Sequence, residues 1–483
     1  MKKTSMRFMM PLLLVLLFPG LGMTQFNLSG EFRMRGEYRD GYLNLRDESK
    51  KPYGDILGRA RVLFDFQHEK FSTRFSLQSA WVFGQNSFSS DTVTKNTVNF
   101  YEAWLKYAFT KNFALKIGRV ELVYDDQRFI GASNWSTWGA SHDVVVAQWQ
   151  APEIRYKGDF GFAVNNIAPA TLPFLSPYTV KNSYKYMGYL WEQKKFFGDK
   201  LSFSLLAVLD ANQKLSSTTT TSKTTNDTLP VYNQNDSIIG FTIVPVTTKT
   251  TTTTEFPDLL YARATVGLDG WLNLKKWKVF LTGYYQGGHY RDGRKLNSFF
   301  YATYVSFQAF KFLALTAGFD HLGGNDYSDT TELKTKVSGF STLYGSNHNF
   351  YGYMDLFSTQ IRDNLSPGLN DLYARTTWSL TKKMNLELTW RWFSLPYGYL
   401  KADNPKKGDL PYTSVKKSLG HEIDLMYIYK PFDNFEVNAG YCFFLPTETM
   451  EIQRGLATGT SKFAQFAYIM LTYKPNFFSS EKR

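Results

Sequence analysis

The sequence predicts a transmembrane antiparallel β-barrel of about 18 strands. Three observations carry the prediction: apolar and polar side chains alternate from Phe26 to Tyr473, the amino terminus has the layout of an export signal, and no later apolar stretch is long enough for a membrane helix. Strand side chains point to opposite faces in turn. In residues 71 to 83, Phe71, Thr73, Phe75, Leu77, Trp81 and Phe83 therefore form one face, and Ser72, Arg74, Ser76 and Gln78 the other. Residues 384 to 392 repeat the split, with Met384, Leu386, Leu388, Trp390 and Trp392 set against Asn385, Glu387, Thr389 and Arg391. So do residues 435 to 443. A soluble sandwich shares this period, so the membrane reading needs the other two observations.

At the amino terminus Lys2, Lys3 and Arg7 precede an apolar run from Phe8 to Phe18, and small residues follow from Gly20 to Thr24. The run is about 11 residues, short of the roughly 20 that span a bilayer as a helix. Residues 1–24 are expected to be a signal peptide, with the barrel over 25–473 and a short tail over 474–483. Hydrophobic content is nevertheless 43%, so a membrane role must come from strands, which have to close into a barrel to pair every backbone group. The chain holds 41 Phe, 31 Tyr and 11 Trp. Many sit near strand ends, among them Trp81, Trp104, Tyr107, Trp271, Trp277, Tyr427 and Tyr429, as interfacial girdles require. A β-fold enriches aromatics in any setting.

In order, the alternating segments fall at 26–39, 57–68, 70–83, 98–109, 112–119, 143–156, 159–168, 184–196, 200–213, 258–272, 277–289, 297–309, 311–322, 371–380, 384–395, 418–430, 434–446 and 463–473. An even count suits a single-chain barrel of the outer membrane of a Gram-negative bacterium, and this width can hold an aqueous channel. Tight turns such as Gly198-Asp199-Lys200, Ala309-Phe310-Lys311 and Thr381-Lys382-Lys383 would face the periplasm. Long connections, among them 120–142 and 323–370, would face outward or fold into the lumen. Segment 214–257 is dominated by threonine and has too little apolar surface to order itself, so it reads as a mobile loop. No linker divides the chain, and no long uniformly apolar strand marks a subunit contact, so one domain and a monomer are expected.

The formal charge is +13, and removing Lys2, Lys3 and Arg7 leaves 13 − 3 = +10. A basic balance can serve nucleic acid, anionic lipid or an anionic solute, and placement favours the last. Arg33, Arg35, Arg59, Arg61, Arg74, Arg263, Arg375 and Arg391 lie on the parity opposite apolar neighbours. Charge on the lipid face costs about 2 to 4 kcal/mol at midplane, so they should point inward. Their planar forks suit carboxylate or phosphate. Equally, they could pair with inward carboxylates such as Glu31, Asp65, Glu102, Glu387 and Asp424 and only brace the wall.

Catalytic and metal chemistry find little support. The six histidines lack the paired spacing of a zinc site. Ser141-His142-Asp143 is consecutive on a strand, so it cannot form a triad locally. Asp125-Asp126 could bind a hard cation but reads more simply as a solvated pair. Cys442 is the lone cysteine. The expectation is no enzyme, no cofactor and no metal.

Two blocks go further. Residues 118–131 read GRVELVYDDQRFIG and precede SNWSTWGASHDVVVAQW, and residues 342–357 read TLYGSNHNFYGYMDLF. Both resemble the alginate export family of outer-membrane barrels. There a strand ending in Gly-Arg leads into an Asp-x-Arg loop, and a late loop carries a Gly-Thr-Asn-His-like stretch before aromatics. These features fall here on Gly118-Arg119, on Asp126 to Arg128, and on Gly345 to His348, with Asn347 and His348 in the motif. The resemblance implies an electropositive constriction for an anionic solute or polysaccharide, with Arg119 and Arg128 as its candidates. It also leaves room for periplasmic secretion partners. The residues themselves allow another role, in which Arg119 and Arg128 pair with Glu121, Asp125 or Asp126 and pin the loop.

Overall fold

The structure, a computed structural model, describes residues 25–84, 98–166, 183–232, 238–329, 332–402 and 412–480. The expected signal peptide lies outside the described residues. All eighteen alternating segments are strands. They are β1 (Gln25–Asp40), β2 (Tyr53–His68), β3 (Phe71–Val82), β4 (Asn99–Thr110), β5 (Phe113–Val120) and β6 (His142–Ala151). Then come β7 (Tyr156–Val164), β8 (Tyr186–Phe196), β9 (Leu201–Tyr232), β10 (Ile238–Asn273), β11 (Trp277–His289) and β12 (Lys295–Phe310). The last six are β13 (Leu313–Leu322), β14 (Leu369–Thr381), β15 (Met384–Ser394), β16 (Ser418–Phe432), β17 (Phe435–Pro446) and β18 (Ala464–Tyr473).

Each strand pairs antiparallel with its neighbours in sequence, and β1 closes the ring by pairing with both β2 and β18, with Phe32 opposite Tyr473. Closure leaves no open edge in the membrane. The two faces separate as alternation demands. Phe75, Ile117, Phe162, Leu209, Leu281, Phe299 and Ile469 stand exposed on the outer wall, while Arg33, Ser76, Gln78, Ser204, Thr282, Asp371 and Asp424 are buried on the inner one.

Two expectations change. The threonine-rich tract is not an unstructured loop, because β9 and β10 continue through it as a two-stranded ribbon, with Thr224 opposite Thr247 and Thr220 opposite Thr251. Threonine is β-branched and suits extended backbone, so low apolar content did not prevent pairing. The tail also adds a short strand, Asn476–Ser479, against the start of β1.

The lumen holds a hydrophobic core built by two inward loops. Leu122, Tyr124, Phe129 and Ile130 of loop 121–141 pack with Phe340, Met354, Leu356, Phe357 and Ile361 of loop 323–368. The wall contributes Val144, Met187, Leu206, Phe300, Phe393, Phe444 and Phe466 to the same cluster. Each such side chain contributes roughly 1.5 to 3 kcal/mol on burial, enough in sum to hold both loops inside the barrel.

Candidate channel constriction

Loop 121–141 is tied to the wall through its backbone. Its carbonyls at Asn134 to Ser136 have no strand partner, and buried carbonyls need donors. Arg33 donates to the Asn134 carbonyl and, at 3.0 Å, to that of Ser136. Arg35 donates to the Trp135 carbonyl at 2.6 Å and stacks 3.8 Å over the Trp135 ring. Arg59 pairs with Glu31 at 2.5 Å. Arg61 bonds Gln78 at 2.6 Å, lies 3.5 Å over the Tyr101 ring, and thereby positions Gln78 to donate to the Trp138 carbonyl at 2.9 Å. These four arginines point inward as expected, yet their forks serve the loop more than the open lumen.

Arg128 is the central pin. Only 4% exposed, it donates to Asp126 at 2.8 Å, to the Asp320 carboxylate of β13, and to the Tyr351 hydroxyl at 3.0 Å. Its guanidinium also stacks 4.1 Å over Phe350. Burial opposes its charge, but Asp320, Tyr351 and Asp126 outweigh that and hold it protonated. Next to it Asp125 accepts from Trp191 at 3.0 Å and from Ser204 at 2.6 Å, and burial pushes its carboxyl up to about 6.

The two loops meet along a short parallel bridge between Ile130 and Tyr344. Tyr344 N–H donates to Phe129 at 2.9 Å, Ser346 N–H to Gln127 at 2.8 Å, and Ser133 N–H to the Ser346 hydroxyl at 2.8 Å. Gly345 is required here, since a Cβ would sit 2.0 Å from the Arg128 carbonyl oxygen. His348 stacks on Trp135 at 3.7 Å, and its Nδ1 meets Asp355 at 2.7 Å. Asn347 is buried and donates to the Ser358 carbonyl at 3.3 Å. Met354 N–H donates to Glu422 at 2.8 Å, fixing the second loop to β16.

This junction separates two cavities. The inner one, about 620 Å³, opens toward the short turns and is lined by Glu31, Arg33, Arg59, Trp135, His348 and Glu387, among others. The outer one, about 650 Å³, opens toward the long loops and is lined by Ser133, Arg263, Arg291, Tyr344, Gly345 and Arg362, among others. Ser133 and Gly345 face outward and Trp135 and His348 inward, so the partition is about as thin as the two loop backbones.

The structure corrects the assignment of Arg119 to a constriction. It is exposed on the outer wall, paired at 2.8 Å with Asp143 of β6, beside Phe100, Ile117 and Phe162. It stands one residue from the loop end of β5, where the cost of charge toward lipid falls to about 0 to 1 kcal/mol. Gly118, at φ +134°, lets the strand pass the Ala103 carbonyl, which a Cβ would meet at 2.2 Å. Arg128 is corrected in another way: it pins the loops and does not line an open passage. Arg74 pairs with Asp65 at 2.6 Å, Arg263 with Asp210 at 2.6 Å, Arg375 with Glu387 at 3.2 Å, and Arg391 with Asp371. Of these four, Arg263 lines a cavity and the others brace the wall. His142 and Asp143 point to opposite faces, one to Tyr184 and the other to Arg119.

Sequence reasoning missed Asp320, Arg291 and Arg362, and it carried Trp135 and Tyr351 only as parts of the two resembling blocks. Asp320 shares the inward parity of β13 and was open to discovery. The others lie in loops, where no periodicity exists to read.

An antiparallel barrel of eighteen strands, with short turns at one end and long loops folded into its lumen, defines an outer-membrane channel of the porin fold. More particularly, the chain belongs to the alginate export family, which it matches over residues 24–463. Solved structures with the same fold include a BenF-like porin from Pseudomonas fluorescens Pf-5, at 9% identity, covering 94% of this chain and 99% of that one with TM-score 0.55. Acinetobacter baumannii OccAB4 is 10% identical, covers 93% and 98%, and gives 0.55. Pseudomonas aeruginosa OccK1 is 9% identical, covers 93% and 99%, and gives 0.53. No curated protein matches the chain.

Proposed function

We propose that this protein is a passive channel preferring anionic solutes, with the loop junction as its narrowest section. The observation that carries the reading is the outer cavity. Among the described residues, the guanidinium groups of Arg291 and Arg362 have no hydrogen bond or ion pair there, and the Arg291 Nε is buried without a partner. Arg263 is neutralised by Asp210, so Arg291 and Arg362 outweigh Asp363, the one carboxylate on that lining. The inner cavity is balanced, with Arg33, Arg59, Lys430 and Lys474 against Glu31, Glu387, Asp433 and Glu436. A positive mouth concentrates anions before a narrow section. An anionic polysaccharide, the cargo the family's description suggests, would need the two loops to part.

The test is the reversal potential in planar bilayers under a salt gradient, for the parent and for Arg291→Ala with Arg362→Ala. Anion selectivity that falls in the double variant supports the reading, and cation selectivity in the parent overturns it. The partition favours one alternative, a surface barrel closed by its loops. That reading wins if the parent does not conduct and deletion of loop 121–141 opens a conductance.

A further inference from the structure

The eight short turns that join β2 to β3, β4 to β5, β6 to β7, β8 to β9, β10 to β11, β12 to β13, β14 to β15 and β16 to β17 carry nine Lys or Arg against four Asp or Glu, a net of +5. Seven of the eight hold at least one basic residue, so the charge forms a ring around the whole barrel end. All nine are exposed. Among the described residues none of Lys70, Lys111, Lys275, Lys276, Lys311 and Lys382 has an ion-pair partner, and the Arg155–Asp199 pair at 3.1 Å is the exception in the ring.

Aromatic side chains stand at the same level and point away from the barrel axis. Phe197 is 76% exposed, and Phe310, Phe312 and Phe432, in or beside the turns, are also bare. Rings of this kind seat at the boundary between acyl chains and headgroups. A lysine beside them keeps its stem in the apolar layer and its ammonium at the phosphates. The termini of the barrel, Gln25 and Tyr473, lie at this end, which in such barrels faces the periplasm.

We propose that this ring binds the anionic phospholipid headgroups of the periplasmic leaflet, and so selects the lipids around the barrel. The circumferential spread decides the occupant. A soluble acidic partner docks on one sector or over the mouth, whereas a lipid annulus meets every turn. A soluble partner would also have to cover the bare phenylalanines. Near an anionic surface each lysine favours the acidic lipid by about fivefold at the position it contacts, and salt weakens this.

The experiment uses the full chain reconstituted in phosphatidylcholine, with brominated phosphatidylglycerol or brominated phosphatidylcholine titrated in as quencher of the interfacial tryptophans. The expected result is a several-fold preference for phosphatidylglycerol that falls with salt. It is lost when every basic residue of the ring is replaced by Gln, Lys275→Gln and Lys382→Gln among them, in a variant whose folding is checked by heat-modifiable migration. Equal quenching by the two lipids in the parent overturns the proposal, as does a preference that survives the substitutions. Ring-dependent binding of soluble polyglutamate without lipid preference would assign the ring to a soluble acidic partner instead.

Discussion

Replacing Arg128 with alanine should loosen the lumen. The substitution leaves Asp126 and Asp320 facing each other without the cation between them, and it removes the donor to Tyr351. Breaking a buried ion pair by deleting one partner costs about 3 to 5 kcal/mol. The undocked fraction of the two loops should therefore rise by about 150- to 5,000-fold, at 1.36 kcal/mol per decade. The chain supplies its own reporter. Cys442 is its one cysteine and is fully buried, in the same cluster as Met354 and Phe357 of the second loop. Its alkylation by a maleimide then measures how often the loops lift away.

The expected outcome is faster Cys442 alkylation and a larger or noisier single-channel conductance in Arg128→Ala. Arg128→Lys should fall between, because a point charge keeps the attraction but cannot bridge Asp126 and Asp320 as a planar fork does. Cys442 alkylation and conductance both indistinguishable from the parent would refute the idea that Arg128 holds the loops. Alkylation that rises together with loss of the heat-modifiable barrel would mean that the residue supports the whole fold.

Asp125 gives the loops a pH dependence. Its docked carboxyl is pushed up to about 6 from an ordinary 3.8, so the docked state binds its proton more tightly. Docking should be strongest below about 4 and weaken as pH rises through about 6, by about 3 kcal/mol in all. Conductance in bilayers should rise over that window, and Asp125→Asn should flatten the step. Gly345→Ala should separate the loops, since its methyl would collide with the Arg128 backbone. A cost of about 1 to 3 kcal/mol would appear as faster Cys442 alkylation. Arg119→Ala should leave selectivity unchanged and shift stability by at most about 1 kcal/mol, as expected of an exposed pair; reversal potential and thermal melting check both.

The wall was legible because one rule governs it. Lipid outside and water or loop inside impose period two on every strand, and a strand forms over each expected segment, with outward residues such as Phe75, Leu209 and Leu281 bare. Arg119 shows what happens when that rule is set aside: alternation from Phe113, Leu115 and Ile117 already places it outward, and only the family motif drew it in. Loop residues obey no such period. Trp135 meets His348 across more than two hundred residues of sequence, through two backbones whose path depends on Gly345 and on the Ile130–Tyr344 bridge. The threonine tract misled for a related reason, because composition measures burial and not the pairing available to a hairpin.

The inward arginines can now be sorted by what they touch. Arg33 and Arg35 hold loop carbonyls directly, Arg61 supports a glutamine that does so, and Arg128 bridges two carboxylates and the second loop. A positive charge used in this way cannot also attract a solute strongly, so a net charge of +13 overstates the field in the passage. Among the described arginines, Arg291 and Arg362 at the outer mouth are the two whose guanidinium groups have no hydrogen bond or ion pair, and most lysines of the inner-rim turns have no ion-pair partner. On the proposed reading, selectivity and loop docking rest on different residues. Substitutions at Arg291 and Arg362 should move the reversal potential without opening the junction, whereas substitutions at Arg128 should open the junction with little effect on which ion is preferred.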